Sequence, residues 1–433
     1  MKKNSYEMLT WLLKKQGIKN REGSTAVFLA IIISVLVLLM FTLINATKDL
    51  MYKAGADEVL QLSGRSVLSK FNPELKERYG IIAFCMTSGE VNKDIKYYTD
   101  YSFSSRRPLK INKIVSDTSG YSMAQLENFR KEVAEYGKYA ILKGFLKKAT
   151  NKENDSEDKG SNETEAEGKD RCLRNEIIIN GLPSQNISGS IDIKKIGIDI
   201  SSFKKFISSG SKEFLVNEYI INLFNNRLFR KTDEETFFSK EVEYIICGNL
   251  GDRQNKRSVS RKIVLLRNIV NLFHIYTDPS KKAKITAAAE IISPGPGALV
   301  VQAIIAEAWA LAESKNDLEL LLHNKKVPFV KNKQTWAVDF ESIVTGKNIH
   351  KIDHKRPRTY IDTNCKTGMD YEDYLRLFLV FLREENKLLR MMDLMQINVQ
   401  GSFDRCFSMK MSSTGFDFSA EVKGKNYVYR EKY

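Results

Sequence analysis

AVFLAIIISVLVLLMFTLIN, residues 26–45, decides how the rest of this chain is read. The stretch has no charge, proline or glycine, and fourteen of its twenty residues are Leu, Ile, Val or Phe. At about −0.3 to −0.6 kcal/mol for each of those, insertion as a helix is favourable by roughly 4–8 kcal/mol. At about 1.5 Å rise per residue the stretch covers the roughly 30 Å hydrocarbon core of a bilayer. One membrane-spanning helix is expected.

The flanks set its direction. Lys2, Lys3, Lys14, Lys15, Lys19 and Arg21 precede the span, whereas Lys48, Lys53 and Arg65 follow it, offset by Asp49, Asp57 and Glu58. Lysine and arginine near the ends of a span favour the cytoplasmic side. Residues 1–25 are therefore expected in the cytoplasm and everything beyond the span outside it. A cleaved secretory signal is the competing reading, but its apolar region runs to only about 7–15 residues. The nearest A-x-A, Ala54-Gly55-Ala56, also stands too far past the run. Within the basic tail, SYEMLTWLL (5–13) is either a short interfacial helix with Trp11 at the headgroups or a frayed end.

Outward from the span, residues 46–72 read as a helical extension. Tyr52, Ala56, Val59, Val67 and Phe71 recur near helical spacing, and Asn72-Pro73 stops the run because the residue before proline avoids the helical region. One helix of about 45 residues, roughly 65–70 Å long, is expected to lean its outer half on the folded remainder, with Gly55 and Gly64 as places to bend.

The chain has 433 residues, 42% of them hydrophobic and 28% charged, which is room and composition for two or three packed units beyond the anchor. Its net charge of +15 favours anionic neighbours such as lipid headgroups or wall polymers, but the excess is spread along the chain and no nucleic-acid partner is expected. Cys85, Cys172, Cys247, Cys365 and Cys406 lie far apart, without CxxC or zinc spacing, so neither a metal site nor a disulfide framework is expected; one or two bridges stay open.

The fold class expected is α+β: a single N-terminal transmembrane helix continuing into a long helix, then a mixed helical and antiparallel-strand extracytoplasmic domain. Residues 73–148 form its first part and 172–433 its second, with a C-terminal hairpin. Between them, 149–171 is almost free of apolar residues and reads as a disordered loop. YGIIAF (79–84), LKINKIVS (109–116), VEYIIC (242–247) and the alternation over 187–200 read as strands. Ser122 with Gln125 reads as a capping box for a helix to about Leu146. Helices are expected from Ser211, over 259–277, and from Pro279 to Ile292. After a rigid Pro-Gly corner at 293–297, ALVVQAIIAEAWALAESK (298–315) reads as a buried central helix; its apolar part is too short to span and includes Glu307. Asp370 caps a last long helix from Tyr371 to about Ile397, with Tyr374, Phe378, Phe381, Leu388, Met392 and Met395 on its core face. Phe407, Met409 and Met411 alternate, as do Phe416, Phe418, Ala420 and Val422, so a hairpin turning at 412–415 is expected.

EGS (22–24) ahead of the apolar run resembles a prepilin-type leader, as in the pseudopilin-like TadE/TadG proteins of tight-adherence pili. The fifth position after Gly23 is Phe28, where pilins carry glutamate, so an intact anchor is expected over processing between Gly23 and Ser24. Residues 22–48, FNPELKERYGIIAF (71–84), EYGKYA (135–140), EVEYIICGN (241–249), 262–336, YEDYLRLFLVFL (371–382) and MMDLMQINVQ (391–400) together resemble an uncharacterised Gram-positive family of TadE/TadG-like envelope proteins. The resemblance implies a place in the cell envelope and a pilus association, and no reaction.

Chemistry is sparse. Asp117-Thr118-Ser119-Gly120-Tyr121 approaches the D-x-S-x-S of a von Willebrand A metal site, but Tyr121 stands where an oxygen ligand is needed, and a helix-capping turn is the better reading. His350 and His354 have HxxxH spacing without the glutamate, among cations that disfavour a divalent ion, and His274 reads as a core or boundary residue. Lys351, Lys355, Arg356 and Arg358 are the candidate patch for an anionic wall polymer or lipid headgroup. There is no G-x-S-x-G and no dinucleotide fingerprint. No catalytic residue, metal or cofactor is expected. The function expected is non-catalytic assembly in a pilus-like or secretion apparatus, in contact with the lipid bilayer and other anchored subunits; a binding module is the alternative.

Overall fold

The computed structural model describes residues 4–104, 111–151, 170–187, 191, 212–345 and 360–433. The class is α+β, helices with antiparallel strands, and the chain forms two compact units.

The first unit takes residues 1–69, 88–117 and 417–431. Its leading element, α1 (Asn4–Leu68), is one continuous helix of 65 residues, roughly 100 Å long at 1.5 Å per residue. It starts earlier than the hydrophobic pattern suggests and ends at Leu68, before Asn72. Over 27–44 the large side chains are 44–68% exposed. Farther on, Ala56, Leu60, Ser63 and Val67 are buried at helical spacing. That stripe belongs to a core with Val91, Ile95 and Thr99 at i, i+4, i+8 and with Phe418, Ala420 and Val422. Gly55 and Gly64 both lie within the continuous helix. At Gly64 a Cβ would lie 2.9 Å from Cγ of Glu431 and 3.0 Å from the Phe418 ring, so its lack of a side chain admits the sheet.

Following α2 (Pro73–Tyr79) and β1 (Phe84–Cys85) in the chain, α3 (Ser88–Ser104) and β2 (Ile111–Asp117) return to the first unit. Strand β2 pairs antiparallel with a later strand, Ile114 opposite Ala420 and Ser116 opposite Phe418.

The second unit takes 70–87, 118–416 and 432–433. It holds α2, β1, α4 (Leu126–Asn151), α5 (Glu176–Asn180), α6 (Lys212–Leu223), α7 (Glu241–Cys247), α8 (Asp252–Thr277), α9 (Pro279–Ile292), α10 (Ala298–Leu322), α11 (Phe340–Val344), α12 (Tyr371–Phe381) and α13 (Glu384–Ser402). A two-stranded ladder pairs β1 with β3 (Ser412–Ser413). Then β4 (Gly415–Val422) leads into the first unit's sheet, whose order is β2-β4-β5, with β5 (Lys425–Lys432) last.

Several expectations change. VEYIIC forms helix α7: Gly248 ends it at φ +71°, and Glu241 and Glu243 turn inward to accept the backbone N–H groups of Asn225 (2.9 Å) and Arg227 (3.0 Å). YGIIAF contributes one strand residue, Phe84, because Asn72 accepts from Leu75 N and starts α2 there. Ser122 does not cap α4, which begins at Leu126; its hydroxyl accepts from Ala124 N, and Gln125 turns away to the Ser119 carbonyl. The last long helix is two, since Leu382 and Arg383 are extended. The hairpin is β4–β5, not 407–422: Lys423 and Gly424 both have positive φ (51° and 75°), as in a two-residue type I′ turn.

The innermost helix is α13, whose polar and apolar sides are both covered. Leu388, Met391, Met392, Met395 and Val399 pack in the core, while Arg390, Asp393, Gln396 and Asn398 are buried too. Asn398 donates to Tyr79 Oη and Glu241 Oε1, both at 2.8 Å, and Asp393 accepts from Tyr244 Oη at 2.9 Å. By contrast α10 is buried on one face only: Leu299, Val300 and Ile304 are exposed, and like α1 the helix is long and apolar enough to cross a membrane.

Candidate functional site

Helix α8 ends at Thr277, and Asp278-Pro279 starts α9 at once: Asp278 Oδ1 accepts from Ser280 N (2.9 Å) and Lys281 N (3.2 Å), and proline suits the first helical turn. This cap places Lys281 in the first turn of α9 and leaves His274 in the last turn of α8. Trp309 comes from α10. The segment after α10 supplies Lys331, Lys333, Trp336, Val338 and Asp339, and α11 opens with Phe340.

Two indoles form the wall. Trp309 and Trp336 each donate Nε1–H to the one carbonyl of Val338 at 2.8 Å. Their rings meet edge to face at 5.4 Å, with Phe340 at 5.1 Å from Trp309. The Lys281 ammonium lies 3.6 Å over Trp336 and 4.8 Å from the Trp309 centroid, a cation–π arrangement. These groups, with Lys284 and Lys333 at the rim, line a cavity of about 320 Å³.

Behind the wall sits a buried ion network. Arg267 Nε donates to Asp317 Oδ2 at 2.8 Å, and Lys331 bridges Asp317 and Glu313. Arg267 also donates to the carbonyls of Pro328 (3.1 Å) and Phe329 (2.7 Å), and Glu313 accepts from Ala337 N (3.0 Å) and Val338 N (2.7 Å). Two cations and two carboxylates thereby tie the 328–338 segment to α8 and α10, so the indole wall rests on fixed supports. Burial works to raise the Asp317 pKa, but Arg267 and Lys331 outweigh it and hold the carboxyl below its usual range.

Lys281 is 8% exposed. Burial pushes its pKa down to about 8, against the pull of Asp278 and Glu313. Burial and the nearby Lys281 also lower His274, and its inward Nε2 has no hydrogen-bond partner, with Asp278 Oδ2 4.0 Å away. The arrangement offers a desolvated cation, an aromatic face and two solvated lysines.

The residues singled out in the sequence lie elsewhere. Gly23 and Ser24 fall inside continuous α1. Lys351, Lys355, Arg356 and Arg358, with His350 and His354, lie outside the described residues, as do 152–169 and most of 187–200. His323 caps the end of α10, its Nδ1 2.8 Å from the Glu319 carbonyl. All five cysteines are free, and burial pushes Cys247 up to about 12. Among the described residues no three His, Cys, Asp or Glu converge as metal ligands. Trp309, Trp336 and Lys281 are not picked out by the sequence reading; one cue is Trp336, directly after the polar run Lys331–Thr335.

A protein-family model described as a family of unknown function (DUF5702) matches residues 122–424, which include every residue of the pocket. No curated protein and no solved structure matches the chain.

Proposed function

The chain belongs to the DUF5702 family of unknown function, and from that footing we propose a membrane-anchored, non-catalytic assembly component of a TadE/TadG-like pilus or secretion apparatus. One helix spans the membrane, with the basic tail in the cytoplasm and the folded units outside. The observation that carries the reading is the contrast within α1: residues 27–44 are uncovered and apolar, while the same helix from Ala56 to Val67 is packed. Within the apolar run, Ser34 and Thr42 donate to the carbonyls of Ile31 and Leu39, both at 2.8 Å, so neither hydroxyl asks for water.

A second feature supports assembly. Ile291, Ile292, Leu299, Val300 and Ile304 are exposed together around the Pro-Gly corner, and clustered exposed apolar side chains are a mark of interaction surfaces. Its occupant in this reading is another anchored subunit. A photo-crosslinker at Leu299 or Ile304 should give one discrete adduct with a different membrane-anchored protein in intact cells. Adducts only with lipid, or none at all, would count against assembly at this face.

The alternative, a binding module for anionic wall polymer or lipid headgroups, gains from the lysine-rimmed indole pocket.

A further inference from the structure

We infer that the cavity between α9, α10 and the 331–340 segment is a binding site for a phosphorylated sugar or polyol unit. The inference deepens the binding-module alternative and is independent of the anchor and assembly reading.

The first ground is Lys281. Its ammonium lines the cavity, yet among the described residues it makes no hydrogen bond and no ion pair; its partners are the two indole faces. The carboxylates that could neutralise it are engaged elsewhere. Asp278 caps α9, and Glu313 is held by Lys331 and the amides of Ala337 and Val338. Lys331 itself is spent on Glu313 and Asp317. Asp278 and Glu313 pull on the Lys281 charge without touching it, and a buried cation with no contacting counter-charge is costly unless an anion completes it.

The second ground is the rest of the lining. Lys284 and Lys333 are exposed at the rim and make no ion pair among the described residues. With Lys281 they give three positive charges, against Asp339 and the already-occupied Asp278. There is no arginine in the lining, so the charge is a set of compact ammonium groups, suited to a small, highly charged anion rather than a planar carboxylate. Half-buried Trp336 and Phe340 add an apolar wall for the C–H face of a sugar or polyol. The volume of about 320 Å³ suits one such unit, near the lower end of the roughly 300–1,000 Å³ of small-molecule sites.

The test uses the full chain in mild detergent with Trp11→Phe, which leaves Trp309 and Trp336 as its fluorophores. Glucose 6-phosphate and glycerol 3-phosphate should change the emission saturably, and glucose at least about tenfold more weakly, the loss of a charge-assisted hydrogen bond. Phosphatidylglycerol vesicles form a separate arm: a response to vesicles and not to the free phosphates assigns the site to a lipid headgroup source, the reverse to a soluble or polymer-borne unit. Lys281→Met should weaken binding about tenfold or more. Because the ligand's second ionisation near pH 6 is complete by pH 7, affinity should fall from pH 7 to 9 as Lys281 loses its proton, and Lys281→Arg should flatten that fall. If Lys281→Met fails to fold, the Lys284→Ala/Lys333→Ala pair decides, with an expected loss of affinity. No saturable change with the phosphates or the vesicles to about 10 mM, equal affinity for glucose, or affinity unchanged in the lysine variants would overturn the inference.

Discussion

Two helices of this protein invert the usual relation between polarity and cover. Residues 26–45 of α1 have no charged side chain and are exposed along their length, whereas α13 carries Lys387, Arg390, Asp393 and Asn398 and is buried. The difference lies in partners. Every one of those polar groups on α13 has one: Lys387 donates to Asn217 at 2.9 Å, and Arg390 to the carbonyls of Ile245 (2.8 Å) and Ile246 (3.1 Å). Paired polar groups can be buried at tolerable cost. An apolar run with nothing of its own chain packed on it calls for an outside apolar cover, and the lipid cover proposed for α1 is less needed by α10, whose inner face is engaged by protein.

The comparison can be broken at several points, in order of expected size. Asp317→Ala should be the most damaging, because Arg267 and Lys331 would be left buried without it; about 3–5 kcal/mol of stability should be lost, read by urea unfolding in mild detergent. A charge placed where none occurs, Leu36→Arg, should cost about 2.5–3.5 kcal/mol of membrane insertion, roughly half of the run's gain, and raise the carbonate-extractable fraction without emptying the membrane. Unchanged partitioning would argue that α1 is covered by protein.

The third test concerns pH. Burial raises Glu241 to about 7, against the hydrogen bonds from Asn225 and Asn398. A carboxyl whose folded pKa exceeds its unfolded value binds the proton more tightly in the folded state. Its contribution is therefore full below about pH 4.5 and is lost as pH rises toward 7. Wild type should lose about 2–3 kcal/mol relative to Glu241→Gln across that window, measured as the difference between the two unfolding curves. Smallest of all, Gly55→Ala should stabilise α1 by up to about 1 kcal/mol, since nothing lies within 4 Å of the added Cβ; the readout is the same unfolding midpoint.

Signals that act locally were legible before any coordinates. Pro279 after Asp278 and the cap at Asp370 mark true helix starts. The strand Ile111–Asp117 was visible in its alternation. What misled was short apolar runs, which have no measurable period: VEYIIC is as consistent with a buried turn of helix as with a strand, and two buried glutamates bonded to backbone made it helical. The tail's alternation suggested the wrong hairpin partner because a lysine takes the positive-φ position at Lys423. The second buried face of α13 was hidden because polar residues form it. The pocket was invisible for a different reason. Lys281, Trp309 and Trp336 lie far apart in sequence, and it takes the shared Val338 carbonyl and the ion network behind it to bring the indoles together.

The central claim is the topology of α1, and two exposed thiols beyond it, Cys172 and Cys406, report on it. Intact cells treated with a phosphine reductant and then a membrane-impermeant maleimide should label these cysteines. A cysteine introduced by Lys3→Cys should react only after lysis. Labelling of Lys3→Cys on intact cells while Cys172 and Cys406 stay sheltered until lysis would contradict the account.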